Sequence, residues 1–154
     1  MDKRILETIL SDQAEELVLK QTKRFCQRKE EDKIDLNSTQ AQVVIGVRRS
    51  GKSTLCYNAL TRKGVKFAYV NFDDERMIHL TADDLNDVLE VLYKITGDFT
   101  YLFIDEIQNI PEWYLFVNRL LRKQMHLIIT GSNAKLLSGE LATHLTGRHH
   151  SIPL

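Results

Sequence analysis

Along the first thirty positions, apolar residues return at helical intervals. Leu6, Leu10, Ala14, Leu17, Val18 and Phe25 fall near one face among charged positions, which predicts helix over residues 3–29. Ser11-Asp12 reads as a cap that splits this stretch into two helices. The far end is basic, with Lys20, Lys23, Arg24, Arg28 and Lys29 ahead of Glu30, Glu31 and Asp32. A mixed run of this kind reads as a solvated helix end rather than a nucleic-acid contact. After residue 36 short apolar runs take over. Val43-Val44-Ile45, Lys66 to Phe72, Tyr101 to Ile104 and His126 to Thr130 read as strands, and Arg148 to Pro153 as a fifth. Between them lie helical stretches: residues 52–62, stopped near Gly64, and a helix opened by the capping-box pattern Thr81 to Asp84 and ended near Gly97. Pro111 stands where a further helix begins, continued by Trp113 to Lys123, and Asn133 to Leu145 is the last. Strands alternating with helices predict a parallel α/β sheet, and runs apolar on both faces agree with it.

Composition narrows the class. The chain has 154 residues, 43% apolar and 27% charged, which is the profile of one globular domain. Lys+Arg and Asp+Glu are both 21, so a domain-wide basic footprint for nucleic acid is absent. No run is apolar for the eighteen or so residues that a membrane helix requires. Met1-Asp2-Lys3-Arg4 leads into an amphipathic stretch and not a secretory signal. Cys26 and Cys56 show no pairing pattern and read as reduced thiols of a cytoplasmic protein.

The chemistry begins after the first strand. Gly46-Val47-Arg48-Arg49-Ser50-Gly51-Lys52-Ser53 fits the P-loop pattern G-x-x-x-x-G-K-[ST] at every fixed position. Glycines let the backbone turn and aim consecutive N–H groups at phosphate oxygens. The helix that starts near Gly51 adds the positive end of its dipole. Lys52 would reach the β- and γ-phosphates, Ser53 would ligate Mg²⁺, and Thr54 would add a contact to the α-phosphate. Arg48 and Arg49 hold variable loop positions, facing either phosphate, a partner or solvent. The motif takes ATP or GTP with magnesium.

Such a site also needs a carboxylate at the end of a neighbouring apolar strand. Asp105 supplies it as the candidate magnesium carboxylate, and Glu106 follows as the acid that polarises an attacking water. The tip Thr130-Gly131-Ser132-Asn133 offers Thr130, Ser132 and Asn133 as sensors of the γ-phosphate or the water, with Ser132 or Asn133 alternatively capping the next helix. Arg148 is a candidate cation for the transition-state charge, within the chain or on a neighbour's nucleotide. Asp73, Asp74 and Glu75 end the second strand, either near the magnesium or in a polar loop. His149-His150 has no third ligand at metal spacing, and Trp113 shares a helix with Phe116, Val117 and Leu120, which favours packing.

Taken in order, Val44 to Thr54, Tyr69 to Arg76, Phe103 to Gln108, Thr130 to Asn133 and Thr146-Gly147-Arg148 resemble the AAA-superfamily ATPases of prokaryotes, close to the STAND branch of P-loop proteins. The likeness covers roughly residues 36–154. It implies a three-layer fold of the ASCE type, with strand order 5-1-4-3-2, Glu106 as catalytic acid, and an adenine nucleotide. The lack of an Asn-Lys-x-Asp guanine signature agrees with that base. Family members usually continue into a helical lid, often a winged-helix segment, and a nuclease-like C-terminal domain. Residues 1–36 are thus expected to form an N-terminal helical segment, and residues 37–154 an ATPase core cut before its lid. The leading expectation is a Mg-dependent ATPase that binds ATP and ADP. A slow nucleotide switch with a protein partner, a nucleic-acid-associated ATPase and a small-molecule kinase are the alternatives.

Overall fold

The chain is described by a computed structural model over residues 1–22, 29–132 and 139–154. Five strands form one sheet: β1 (Ala41–Ile45), β2 (Phe67–Asn71), β3 (Tyr101–Asp105), β4 (His126–Gly131) and β5 (His149–Pro153). Their spatial order is β2-β3-β4-β1-β5 and every pair is parallel. Read from the other edge, this is the order 5-1-4-3-2 that the family resemblance implies. The helices are α1 (Lys3–Thr22), α2 (Lys52–Lys63), α3 (Leu85–Thr96), α4 (Trp113–Arg122) and the short α5 (Leu141–His144).

Both faces of the sheet are covered, so its strands are apolar on both sides. Leu102 and Ile104 of β3 point into one cluster with Leu6, Leu85, Trp113 and Leu120. Phe103, between them, points into the other with Leu55, Leu60, Ile128 and Ile152. That is the period-two geometry of a strand buried on both faces. Trp113 is 1% exposed, and its indole N–H donates to Glu140, which bears out the packing expectation. The capping box at Thr81 is present and opens a short 3₁₀ turn ahead of α3. Gly64, in the left-handed region at φ 71°, ends α2.

The N-terminal helix departs from its expected form in two respects. It runs unbroken through Ser11-Asp12, because the Asp12 carboxylate is engaged by Arg76 at 3.0 Å instead of capping a new helix. Its buried face is Leu6, Ile9, Leu10, Gln13 and Leu17, while Ala14 and Val18 face outward. The polar member of that face explains the shift. β2 is an edge strand, with backbone groups that lack a strand partner on one side. Gln13 supplies one: its amide donates to the Asn71 carbonyl at 2.9 Å and accepts from the Asn71 N–H at 3.0 Å. A stripe counted from apolar residues alone omits this position. Phe25, Cys26 and the basic run from Lys23 to Arg28 lie outside the described residues, as does the start of the helix expected from Asn133. Pro111 sits in a turn just before α4, with Glu112 at φ 57° between them.

Candidate nucleotide site

The C-terminal ends of β1, β3 and β4 converge, and the motif residues stand there. β1 runs into the loop 46–51, which folds tightly on itself. A Cβ on Gly46 would stand 2.7 Å from the Ser50 hydroxyl oxygen and 3.3 Å from Leu154, so any side chain there would force Ser50 to move. Gly51 (φ 91°) and Arg49 (φ 63°) take left-handed backbone conformations, the second a strained choice for a side-chain-bearing residue. The amide of Leu55 then bonds to the Gly51 carbonyl and α2 begins. This puts the helix N-terminus, where backbone N–H groups lack intrahelical partners, at the mouth of the site.

Lys52 is 5% exposed. Its ammonium donates to the carbonyls of Gly46 at 2.9 Å and Val47 at 3.1 Å, and pairs with Glu106 at 3.2 Å. A buried ammonium needs such partners, because an unpaired charge there would cost several kcal/mol, on the order of 3–5. The P-loop lysine is thus held by its own loop and by the acid that follows β3.

Asp105 ends β3 and is 3% exposed. Three hydroxyls donate to it: Ser53 at 2.8 Å and Tyr69 at 2.5 Å on Oδ2, and Thr130 at 2.8 Å on Oδ1. Burial pushes its pKa up, against the pull of those three hydrogen bonds. Burial and the neighbouring Asp105 push the Tyr69 phenol far up as well, so it stays a donor.

Glu106 is the hinge of the site. Its backbone is left-handed at φ 55°, and its N–H donates to Thr130 Oγ1 at 2.9 Å. That turn separates the two carboxylates. Asp105 points inward among hydroxyls, while Glu106 reaches Lys52 and accepts from Ser132 at 2.7 Å and Gln108 at 2.5 Å. Burial raises the Glu106 pKa, but the donors Gln108 and Ser132 and the charge of Lys52 outweigh it and hold the carboxyl below its ordinary range. Two adjacent acids therefore sit in different environments, both suited to a polar, metal-assisted reaction.

A cleft of about 380 Å³ opens over these groups. Arg48, Arg49, Gly51, Lys52, Ser53 and Thr54 line one side, and Asn71, Asp73, Asp105 and Glu106 the other. Gly46 and Ser50 shape the loop from beneath. Arg48 pairs with Asp73 at 2.9 Å across the cleft mouth. Asp74 turns away: it accepts from Gln13 and Arg76, and the Arg76 hydrogen bonds hold its pKa at about 2. Of the three acids after β2, only Asp73 lines this cleft. Asn133 lies outside the described residues.

Arg148 is not brought to the cleft. β5 runs parallel to β1 with His149 opposite Ala41, so Arg148 stands at the start of β1 while the P-loop follows its end. Five residues of strand, roughly 15 Å, separate them. Its guanidinium donates to Asn118 Oδ1 at 3.0 Å. The reading of Arg148 as a cation acting on its own chain's nucleotide fails on this geometry. His149 and His150 bond to Leu145 O and Gln42 Oε1 through their Nδ1 atoms. Among the described residues, no cluster of three or more His, Cys, Asp or Glu forms a metal cage.

Tyr69 and Gln108 belong to the site, although the motifs that contain them give neither residue a role. The signal for Tyr69 was register. Its neighbour across the ladder is Phe103, two residues before Asp105, so its side chain shares a face with the Asp105 carboxylate. Gln108 lies one short turn after Glu106 and can fold back only because Glu106 is left-handed.

The site can be set beside known proteins. Residues 38–154 match the AAA_14 family, described as an AAA domain. The chain is 40% identical over 117 residues to the uncharacterized protein MJ1544 of Methanocaldococcus jannaschii, covering 75% of this chain and 26% of that protein. It is 38% identical over 121 residues to an uncharacterized protein of Haemophilus influenzae, covering 73% of this chain and 30% of that one. The chain therefore spans between a quarter and a third of these relatives' lengths. In fold it is similar to the Walker-type ATPase PABY2304 of Pyrococcus abyssi, with a TM-score of 0.55 and 16% identity over 84% of this chain and 54% of that one. Among the described residues no helix is long and apolar enough to cross a membrane. With a P-loop at the tip of β1, an Asp-Glu pair at the tip of β3 and a match across residues 38–154, this chain belongs to the AAA domain family.

Proposed function

We propose that this domain binds Mg-ATP in the β1–β3–β4 cleft and hydrolyses it. One observation carries the reading: the half-buried Ser53–Asp105 pair and the Lys52–Glu106 pair stand side by side at one strand tip. The first is a set of hard oxygen donors, a hydroxyl 2.8 Å from a carboxylate, which suits magnesium. Ser53 would hold the ion directly and Asp105 would hold its coordinated water. The ion, when bound, screens the phosphate charge and holds the terminal phosphates in line.

The chain's own groups do the rest. Nucleotide draws Lys52 off the Gly46 and Val47 carbonyls onto the β- and γ-phosphates, with backbone N–H groups of residues 50–54 as the cradle. Arg48 and Arg49 border the same phosphates. Loss of the Lys52 contact frees Glu106 to take a proton from water as that oxygen attacks the γ-phosphorus. The bond from the γ-phosphorus to the β–γ bridging oxygen breaks, and its electron pair leaves on ADP. Gln108 and Ser132 orient the Glu106 carboxylate, and Thr130 fixes the backbone from which it projects. Residues 37–154 would be the catalytic core, and residues 1–36 an added helical segment.

Single-turnover hydrolysis of Mg-ATP by the wild-type chain and Glu106→Gln is the test. The variant should bind nucleotide normally and turn over roughly 100-fold or more slowly, the usual contribution of a positioned general base. Equal rates would sink the assignment of Glu106. A preference for GTP would overturn the adenine assignment. Phosphate appearing on an added acceptor, with none released free, would favour a kinase.

A further inference from the structure

The family match begins at residue 38, yet the nucleotide cleft includes a residue well before it. Lys20, in the last turn of α1, lines the 380 Å³ cleft together with Lys52 and Asp105. It also lines a smaller chamber of about 70 Å³ between α1 and the sheet, with Ser53, Tyr69 and Asp105 in its wall. Lys20, Ser53, Asn71 and Asp105 border both spaces. This places Lys20 on the metal side of the triphosphate track, facing the strand tips that carry the reacting carboxylates.

Its position is not accidental drift of a free terminus. Gln13, two turns earlier, is bonded to both backbone groups of Asn71 and to Asp74 at 3.0 Å. Leu17, one turn earlier, is 5% exposed in the cluster that holds Leu55 of α2. The helix is pinned at both places, and Lys20 projects from its end. Of the other cations that line the cleft, Lys52 pairs with Glu106 and Arg48 with Asp73, while Arg49 stands on the P-loop side, away from Asp105 in the chain. Among the described residues, the Lys20 ammonium has no hydrogen bond or ion pair and is exposed. Glu16, one helical turn before it, lines the smaller chamber and reduces the positive field there without reaching the main cleft.

We propose that Lys20 is a terminal-phosphate contact, a residue of α1 that distinguishes ATP from ADP. The inference rests on the ATP reading of the P-loop. The P-loop amides and Lys52 grip whatever carries a β-phosphate. A cation that enters from the Asp105 side meets phosphate charge only when a γ-phosphate is present. Docking of α1 and occupancy by triphosphate are then coupled, because each ammonium–phosphate hydrogen bond formed strengthens the seat of the helix.

A last-turn lysine also complements the helix dipole, so the test must read nucleotide discrimination and not stability. Binding of Mg-ATP and Mg-ADP is measured by calorimetry for wild type, Lys20→Met, Lys20→Arg and Lys52→Ala. Methionine keeps the apolar stem at an exposed position, so the fold should stand. Lys20→Met should weaken ATP about tenfold, the scale of one charge-assisted hydrogen bond, and leave ADP within twofold. Lys20→Arg should restore most of the difference. An unchanged ATP-to-ADP ratio in Lys20→Met, with binding lost in Lys52→Ala, overturns the role of Lys20 alone. Equal weakening of both nucleotides also overturns it, since that is the mark of a general field. Wild-type-like binding by Lys52→Ala overturns the P-loop reading beneath it.

Discussion

The two ends of the sheet are built from similar residues and behave differently. At the C-terminal end, polar side chains answer one another. Asp105 takes three hydroxyls, Glu106 takes Lys52, Ser132 and Gln108, and Thr130 joins the two acids. At the N-terminal end, polar side chains are tied mostly to backbone: His126 meets the Ser38 carbonyl, His150 shares Gln42 Oε1 with the Asp35 N–H, and Asn118 joins Arg148 to the His144 carbonyl. The first arrangement is a network in which each group's geometry depends on its neighbours. The second is a set of short local links over the strand starts, made largely to backbone groups. Parallel strands explain why the chemistry gathers at one end. All five strands point the same way, so all the loops that follow them share one rim.

The sharpest way to break this contrast is Thr130→Val. The swap keeps shape and burial and removes one hydroxyl. At 0% exposure, it leaves the Glu106 N–H and Asp105 Oδ1 without that partner. Each orphaned buried group costs about 1–3 kcal/mol, so a loss of roughly 2–6 kcal/mol and a fall of several degrees in Tm are expected. Turnover should fall too, because the left-handed turn at Glu106 loses its anchor. Thermal unfolding followed by circular dichroism measures the first. A Tm within about 1 °C of wild type would mean that the network is a set of independent contacts after all.

How much of this could be read from the chain follows the same division. The strand alternation, the sheet, the P-loop and the Asp-Glu pair were legible because each is local: a run of five residues or a fixed spacing. The partners of Asp105 were less so. Ser53 and Thr130 were visible as motif members, but Tyr69 enters only through the β2–β3 register, which no local pattern prints. Gln13 was hidden for a related reason: a buried polar residue breaks the apolar stripe, and the edge strand that needs it is almost sixty positions away. Arg148 failed as a same-chain finger because its motif gives a residue type and no end of the sheet. Strand direction supplies that, and it sends the start of β5 to the wrong rim.

Asp74→Asn probes the seam between the network and α1, with a smaller effect. Asp74 has a pKa of about 2 in the folded chain, below its ordinary value of 3.8, chiefly through the Arg76 hydrogen bonds. A depressed carboxylate contributes stability above its unfolded value that is lost as pH falls through the folded one. That window lies between about pH 4 and about pH 2. Wild type should therefore lose stability across it more steeply than Asp74→Asn, and the two curves should converge at the acid end. Urea midpoints taken through this range decide the matter. Parallel curves would show that the Arg76 pair is spent on solvent and does not tie α1 to the loop after β2.

Arg148→Ala carries the smallest expected effect and completes the contrast. Its guanidinium is exposed, bonds to Asn118 and sits a strand's length from the P-loop of its own chain. A surface arginine in a single polar contact is worth about 0–1 kcal/mol, so Tm should move little. Nucleotide affinity of the isolated chain should not move at all. One role is left to it, on the cleft of a second copy packed against this rim. That role has a signature which a same-chain contact cannot produce. Specific ATPase activity of the wild type would rise with protein concentration, and Arg148→Ala would abolish the rise while leaving the dilute rate unchanged. If the variant loses nucleotide affinity at concentrations where the chain is monomeric, the separation of the two ends is wrong. If neither protein shows concentration dependence, Arg148 is a cap over the strand starts, like the histidines beside it.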